Sequence, residues 1–270
     1  MKIFKACAAV VLVALATMAL AGCFYINTGE GGRLVTGSGK IGTRDVELTE
    51  ALTGLVNEGS IDVVIDPALT GKAVIEGDDN LVELVELTQR GDGVVTVKYE
   101  YRTNIMTINR MLVRIPAING GQIVINGSGD VSLASGTLSG DAFDVRVTGS
   151  GDMKLALEAD GVSLSVNGSG DIDAAIAAQK LAVESRGSGD IGLSGTAARL
   201  DASISGSGEL EAGRLEAQDA DVNLSGSGDV RVTVTGALTG SVNGSGSLVY
   251  GGSPASVDVS DNGSGDVHAR

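Results

Sequence analysis

The sequence predicts an all-β protein, a parallel β-helix with coils of about 19 residues and an irregular N-terminal cap. Three observations predict it. A Gly-Ser-Gly core, usually followed by an acid, recurs at Gly127, Gly149, Gly168, Gly187, Gly206, Gly226, Gly244 and Gly263, at intervals of 22, 19, 19, 19, 20, 18 and 19 residues. Around each core the apolar residues fall on even positions, the period of strands with one buried face. The composition suits a narrow, regular core, with 41 Gly in 270 residues, no Trp and 3% aromatics.

At the N-terminus, Lys2 and Lys5 precede an apolar run from Ala6 to Leu20, then Leu20-Ala21-Gly22-Cys23. The run is short for a membrane-spanning helix, which needs about 20 apolar residues. The small residues before Cys23 read as a cleavage site. This order resembles the bacterial lipoprotein signal. The resemblance implies that 1–22 is a signal peptide, that Cys23 is acylated and that cleavage makes it the new N-terminus; the alternative is an ordinary signal peptide with an incidental cysteine. Several acyl chains anchor stably, at about 0.8 kcal/mol per buried methylene. Phe24 stands where an Asp would favour the inner membrane in such lipoproteins, so the outer membrane or cell surface is expected. Cys7 lies in the removed segment, which leaves no disulfide. Without Lys2 and Lys5 the chain carries 17 basic and 34 acidic residues. That balance argues against nucleic-acid binding, which needs a basic footprint.

Residues 23–42 read as a tether, although Gly37-Ser38-Gly39-Lys40 already copies the repeat with Lys in the acid's place. The domain is expected from 43 to 270, its part 43–118 irregular. There, Ile61–Ile65, Lys72–Glu76 and Met111–Ile115 are strand candidates, the first and last closed by Pro67 and Pro116. An Asp or Asn of Gly77-Asp78-Asp79-Asn80 is expected to cap a short helix near Leu81–Val85. Gly91-Asp92-Gly93 predicts a hairpin between Val85–Arg90 and Val94–Tyr99.

From 119 to 270 the register is open to reading. Counting the first Gly of each core as zero, position +4 holds Val131, Met153, Ile172, Ile191, Leu210, Val230, Leu248 and Val267. Position −2 holds Ile125, Val147, Val166, Ser185, Ile204, Leu224, Val242 and Asp261. The glycines at 0 and +2 share this inward parity, and their missing Cβ permits a sharp bend where coils press close. Ser at +1 and the acid at +3 face outward. Second corners are expected at Ser135-Gly136-Thr137, Ala159-Asp160-Gly161 and Gly251-Gly252-Ser253. Asn-Gly-Ser at Asn126, Asn167, Asn243 and Asn262 reads as turn chemistry.

The lipobox, the irregular β-rich half and the Gly-Ser-Gly-Asp coils, in that order, resemble the bacterial family described as putative auto-transporter adhesin, head GIN domain. The likeness covers about residues 33–270. It rests on Arg44-Asp45-Val46, Ile61-Asp62-Val63, Gly77-Asp78-Asp79-Asn80-Leu81 and Ile125-Asn126-Gly127-Ser128-Gly129-Asp130. It implies a single-stranded right-handed β-helix shaped like pectate lyases, with no established catalytic residues, and a role in adhesion.

The outward acids Asp130, Asp152, Asp171, Asp190, Glu209, Asp229 and Asp266 form the one candidate ligand array, broken at Lys40 and Ser247. Stacked one coil apart, neighbours repel by about 1 kcal/mol in water. One reading is a cation ladder, with Ca²⁺ as the candidate; the other is that each Asp accepts turn N–H groups. The spacing does not match the Ca²⁺-binding nonapeptide solenoid. With His268 the only histidine, a Ser-His-Asp or His-metal centre is not expected. Tyr99-Glu100-Tyr101-Arg102 is the best aromatic contact point, with packing on the first coil as its preferred reading. The last coil offers an open sheet edge and hence weak end-to-end self-association, with Asp261 as a brake. The sequence thus reads as a non-enzymatic, anchored envelope lipoprotein that needs no cofactor and binds an unknown glycan or protein. A polysaccharide-active enzyme and a structural spacer are the alternatives.

Overall fold

The computed structural model describes residues 25–27 and 33–270. The expected signal peptide 1–22 and, of the expected tether 23–42, Cys23, Phe24 and residues 28–32 lie outside the described residues. Two compact units share the chain, and both draw on the stretch 43–118. One unit contains 25–27, 33–44, 75–85 and 99–111; the other contains 45–74, 86–98 and 112–270. Among the described residues no helix is long and apolar enough to cross a membrane.

The larger unit is a parallel β-solenoid with about 19 residues per coil. From Leu138 to Gly206 each strand pairs in register with its copy one repeat away; bulges interrupt the pairing at Gly192/Ser194 and Ala212/Glu216. Met153–Gly168 lies on Ile172–Gly187, which lies on Ile191–Gly206, and the cores align as Gly149↔Gly168↔Gly187↔Gly206. Even positions stack into buried columns. Phe143, Val162, Leu181, Leu200, Ala220 and Leu238 form one, and all are 3% exposed or less. Such columns replace the bulky aromatics of a globular core: continuous aliphatic rows bury apolar area at a low side-chain volume per coil. Position +4 is buried from Val131 to Leu248 and half-buried at Val267, where the stack ends. Asp261, of inward parity, is exposed for the same reason.

The glycine columns correct the expected geometry. A Cβ at Gly168 would not point inward. It would sit 2.3 Å from the Gly149 carbonyl oxygen of the previous coil, and the residue holds φ +145°. That carbonyl accepts from both Ser169 N (2.9 Å) and Gly170 N (3.1 Å). The corner is therefore a point of axial backbone contact, where any side chain would displace a ladder hydrogen bond. Of the expected second corners, Gly136 and Gly252 do take positive φ, +80° and +86°. Ala159-Asp160-Gly161 does not turn off the ladder; it runs inside the continuous strand Met153–Gly168.

Ser185 interrupts the aliphatic −2 column between Val166 and Ile204, is 1% exposed and reaches Gly189 O at 3.5 Å. That bond is long enough to be weak. Ser185→Val is therefore expected to stabilise the protein by about 1 kcal/mol, raising Tm by roughly 2–4 °C. A lowered Tm would show that the hydroxyl outweighs the added methyl packing.

The coils do not stack in sequence order throughout. Leu52–Gly59 pairs on one side with Val94–Tyr99, from Gly54↔Val94 to Asn57↔Val97. On its other side lies Ile118–Gly127, up to Gly127↔Gly59. Asp62–Ile65 likewise lies between Leu112–Ile115 and Val131–Leu133. A coil built from 52–65 is thus inserted between two coils that follow it in the chain. Its corner, Gly59-Ser60-Ile61-Asp62, is a degenerate repeat: Gly59 has φ +113°, and Ser128 N and Gly129 N both donate to its carbonyl. The buried Asn57 Nδ2 holds this corner by donating to Ile61 O at 2.7 Å. The hairpin expected at Gly91-Asp92-Gly93 is closed by Arg90 N to Val94 O and Gly93 N to Arg90 O, both 2.9 Å.

The smaller unit holds the strand Arg33–Thr36, paired antiparallel with Tyr25–Asn27 and parallel with Thr103–Met106. Its centre is Asp78, fully buried. Oδ1 accepts from Gly39 N (2.9 Å) and Asn109 Nδ2 (2.8 Å); Oδ2 accepts from Ile108 N (2.8 Å) and Asn109 N (3.1 Å). Burial acts to raise the Asp78 carboxyl, but these donors together outweigh it and hold it below the ordinary aspartate value. The expected helix cap is corrected here. A 3₁₀ turn, Val82–Leu84, does form, but its N-cap is Leu81 and no side chain caps it. Asp78 is engaged as described, and Asn80 is used elsewhere, accepting from Ser38 N at 2.8 Å and donating to Thr36 O at 2.9 Å.

Candidate functional site

The acidic series occupies the outward corner of the solenoid, and five of its aspartates turn a carboxylate oxygen along the stack. Asp130 Oδ1 accepts from Asp152 N (3.0 Å), Asp152 Oδ1 from Asp171 N (3.0 Å), Asp171 Oδ1 from Asp190 N (2.8 Å) and Asp190 Oδ1 from Glu209 N (2.8 Å). The series begins one coil earlier, with Asp130 N donating to Asp62 Oδ1 at 3.0 Å. Asp229 Oδ1 accepts from Ser247 N at 2.9 Å, so the serine keeps the ladder although it lacks the charge. Glu209, one methylene longer, bonds instead to Arg231, which also meets Glu211 at 2.7 Å. Asp266 lies in the last coil. One oxygen of each linking Asp is thus committed to a neighbouring backbone N–H. Among the described residues no three His, Cys, Asp or Glu side chains converge on a common point. Cys23, the expected lipid site, lies outside the described residues.

The aromatic segment also differs from its preferred reading. Tyr101 does not pack on a coil; it is 80% exposed, with the Arg102 guanidinium 5.3 Å from its ring centre. Arg102 itself sits at φ +60°, which turns the chain back into Thr103–Met106.

A site that the sequence did not announce lies on one outer face of the solenoid, a shallow groove of about 820 Å³. Its floor is made by small residues in matching register. Ala142 pairs with Gly161, and a Cβ on Gly161 would meet only Ala142 Cβ at 4.0 Å. Polar side chains also line it: Gln122, Asp144, Arg146, Ser163, Lys180 and Asp201. Arg146 is held by Asp144, Nε to Oδ1 at 3.0 Å and Nη2 to Oδ2 at 2.5 Å. Asp201 is engaged by Arg199 at 2.8 Å. Lys180 forms no ion pair among the described residues. The groove thus offers a flat floor, hydroxyl and amide groups and one uncommitted ammonium, a surface suited to an extended polar ligand. The signal that could have found it is the cluster of small residues Ala142, Gly161, Ser163 and Ala182 at adjoining outward positions of the repeats.

No protein of curated function matches the sequence. Among solved structures, a putative adhesin from Parabacteroides merdae ATCC 43184 is 23% identical with a TM-score of 0.79, over 88% of this chain and 99% of that one. A putative lipid binding protein from Parabacteroides distasonis ATCC 8503 is also 23% identical, at a TM-score of 0.77 over the same shares. A putative adhesin from Bacteroides fragilis NCTC 9343 is 26% identical, at 0.64 over 87% of this chain and 99% of its own. These are likenesses of fold. A family model described as "Putative auto-transporter adhesin, head GIN domain" matches residues 51–175 and 156–254, the coils and the groove included. The chain belongs to that family.

Proposed function

We propose that the protein is a lipid-anchored binding module of the cell envelope, held through acylated Cys23, and that it takes an extended glycan or protein ligand in the groove over Ala142 and Gly161. The single observation that carries the reading is the open floor at Gly161, where an added Cβ would meet nothing but Ala142 Cβ, at 4.0 Å. Membership of an adhesin-named family supports binding over catalysis, as do the adhesin names of two structural relatives. The envelope location rests on the lipobox ahead of Cys23.

Gly161 does not hold a positive φ, so a large side chain there fills the groove without backbone strain. In a glycan-array and whole-cell binding screen of the full chain, with and without calcium, Gly161→Phe is expected to weaken binding by at least about tenfold, or 1.4 kcal/mol, at an unchanged Tm. Equal binding by Gly161→Phe and the natural chain would refute the groove. Release of shortened glycan would point to the enzyme reading. Loss of binding on calcium removal alone would bring the carboxylate ladder into the site.

A further inference from the structure

Four of the five large hydrophobic side chains exposed among the described residues belong to the smaller unit: Ile41 (68%), Tyr101 (80%), Met106 (55%) and Ile108 (62%). Three of them follow one another along one edge. Met106 is the register partner of Thr36, and its carbonyl accepts from Gly37 N at 2.8 Å. Ile108 lies 3.8 Å from where a Cβ on Gly39 would stand, and Ile41 comes two residues later. The display is built rather than loose, because buried Asp78 ties the backbone of Gly39 to that of Ile108 and Asn109. A soluble protein that keeps such residues in water usually has a surface for them.

Charge sets this unit apart. Its segments 33–44, 75–85 and 99–111 hold five basic and five acidic side chains. The solenoid unit holds 12 basic and 28 acidic, a net −16. An anionic lipid surface repels the second strongly and the first not at all. The chain outside the described residues supplies the partner. Tyr25–Asn27 is already a strand, two residues beyond Cys23. Two extended residues span about 7 Å, so an acylated Cys23 would hold the smaller unit against the headgroups rather than on a long tether.

We propose that Ile41, Met106 and Ile108, flanked by Tyr101, form a membrane-contact surface that enters the interface of the bilayer in which Cys23 is anchored. This rests on the lipoprotein reading above. Apolar residues entering the headgroup region add to the anchoring of acyl chains, and an exposed Tyr suits that depth.

The chain has no Trp, so single reporters are clean. Full-length Ile108→Trp and Met106→Trp, produced as the cell processes them, would be reconstituted in phosphatidylethanolamine–phosphatidylglycerol vesicles with and without brominated acyl chains. Val257→Trp, also exposed but in the acidic unit, is the control. Mass spectrometry of the N-terminal peptide reads acylation of Cys23 separately. The expected result is an acylated Cys23 with emission quenched about twofold or more at 106 and 108 and little at 257, since interfacial residues lie at the headgroup–acyl boundary. Acylation without quenching at 106 and 108 overturns the contact and leaves the anchor standing. Equal quenching at all three positions overturns it too, as does a blue shift at 108 that persists in unbrominated vesicles only when chains crosslink to one another. An unacylated Cys23 overturns the anchor and the contact together.

Discussion

Gly187→Ala is expected to destabilise the solenoid by about 3–5 kcal/mol and to lower Tm by roughly 10 °C. The added methyl would meet the Gly168 carbonyl oxygen at 2.2 Å, and the residue would have to hold φ +148°. Both penalties act at once, and neither neighbour can retreat. The Gly168 oxygen is already shared between Ser188 N at 2.9 Å and Gly189 N at 3.2 Å, and the coils on either side are in register over their whole length. Gly192→Ala is the matched control. Its Cβ would come no closer than 3.7 Å to Asp173 Oδ1, and its backbone is not left-handed. Thermal melts of the two variants should differ by most of the predicted shift. If both behave like the natural chain, axial contact at the corner is not what selects glycine.

The second large effect is expected at Asp78. Asp78→Ala would strip the shared partner from the backbone N–H groups of Gly39, Ile108 and Asn109 and from Asn109 Nδ2, a loss of about 3 kcal/mol or more. Asp78→Asn should do little better. Both carboxylate oxygens accept from N–H donors, so either orientation of the amide sets its NH₂ against two of them. Hydrogen exchange at the Gly39, Ile108 and Asn109 amides should accelerate in both variants. The pH dependence has a fixed sign. The folded carboxyl is held below its ordinary value, so its contribution is fully present above the unfolded aspartate pKa of about 3.9 and fades as pH falls below it. The exchange difference between the natural chain and Asp78→Asn should therefore be large at neutral pH and shrink in acid. A difference that stays constant into acid would mean that ionisation of Asp78 contributes nothing.

The Gly-Ser-Gly corners were legible because their cause is local and repeated. Wherever two coils touch backbone to backbone, every chain position in the column must lose its Cβ, and the requirement prints itself into the sequence at each turn. Parity was legible for the same reason, from Val131 to Leu248. The coil at 52–65 was not, because Ile61 stands where later repeats place glycine, and its neighbour Gly129 bears the whole steric constraint, with Ile61 O only 2.1 Å from the Cβ position. Asp78 was misread as a cap because its four donors come from 39, 108 and 109, which no local pattern connects. The groove is a property of what is missing at Gly161 and Ala142, and absent side chains carry little signal in a chain with 41 glycines. Tyr101 was misjudged because an aromatic's usual burial was weighed without the left-handed Arg102 that turns it outward.

The inserted coil governs how this chain can reach its native state. From Leu138 onward each new turn lies on the one before it, so assembly there is a zipper with short loops. The start is different. Asp62 must wait for Asp130, 68 residues later, and for Leu112–Ile115 before either of its edges is covered. Loop closure of that length is the slow, entropy-limited event, whereas the later turns add locally. The strands of this coil therefore stay incomplete until the chain as far as Asp130 is present. Contact order thus assigns the slow step to the irregular N-terminal region, with the conspicuous repeats adding to it locally.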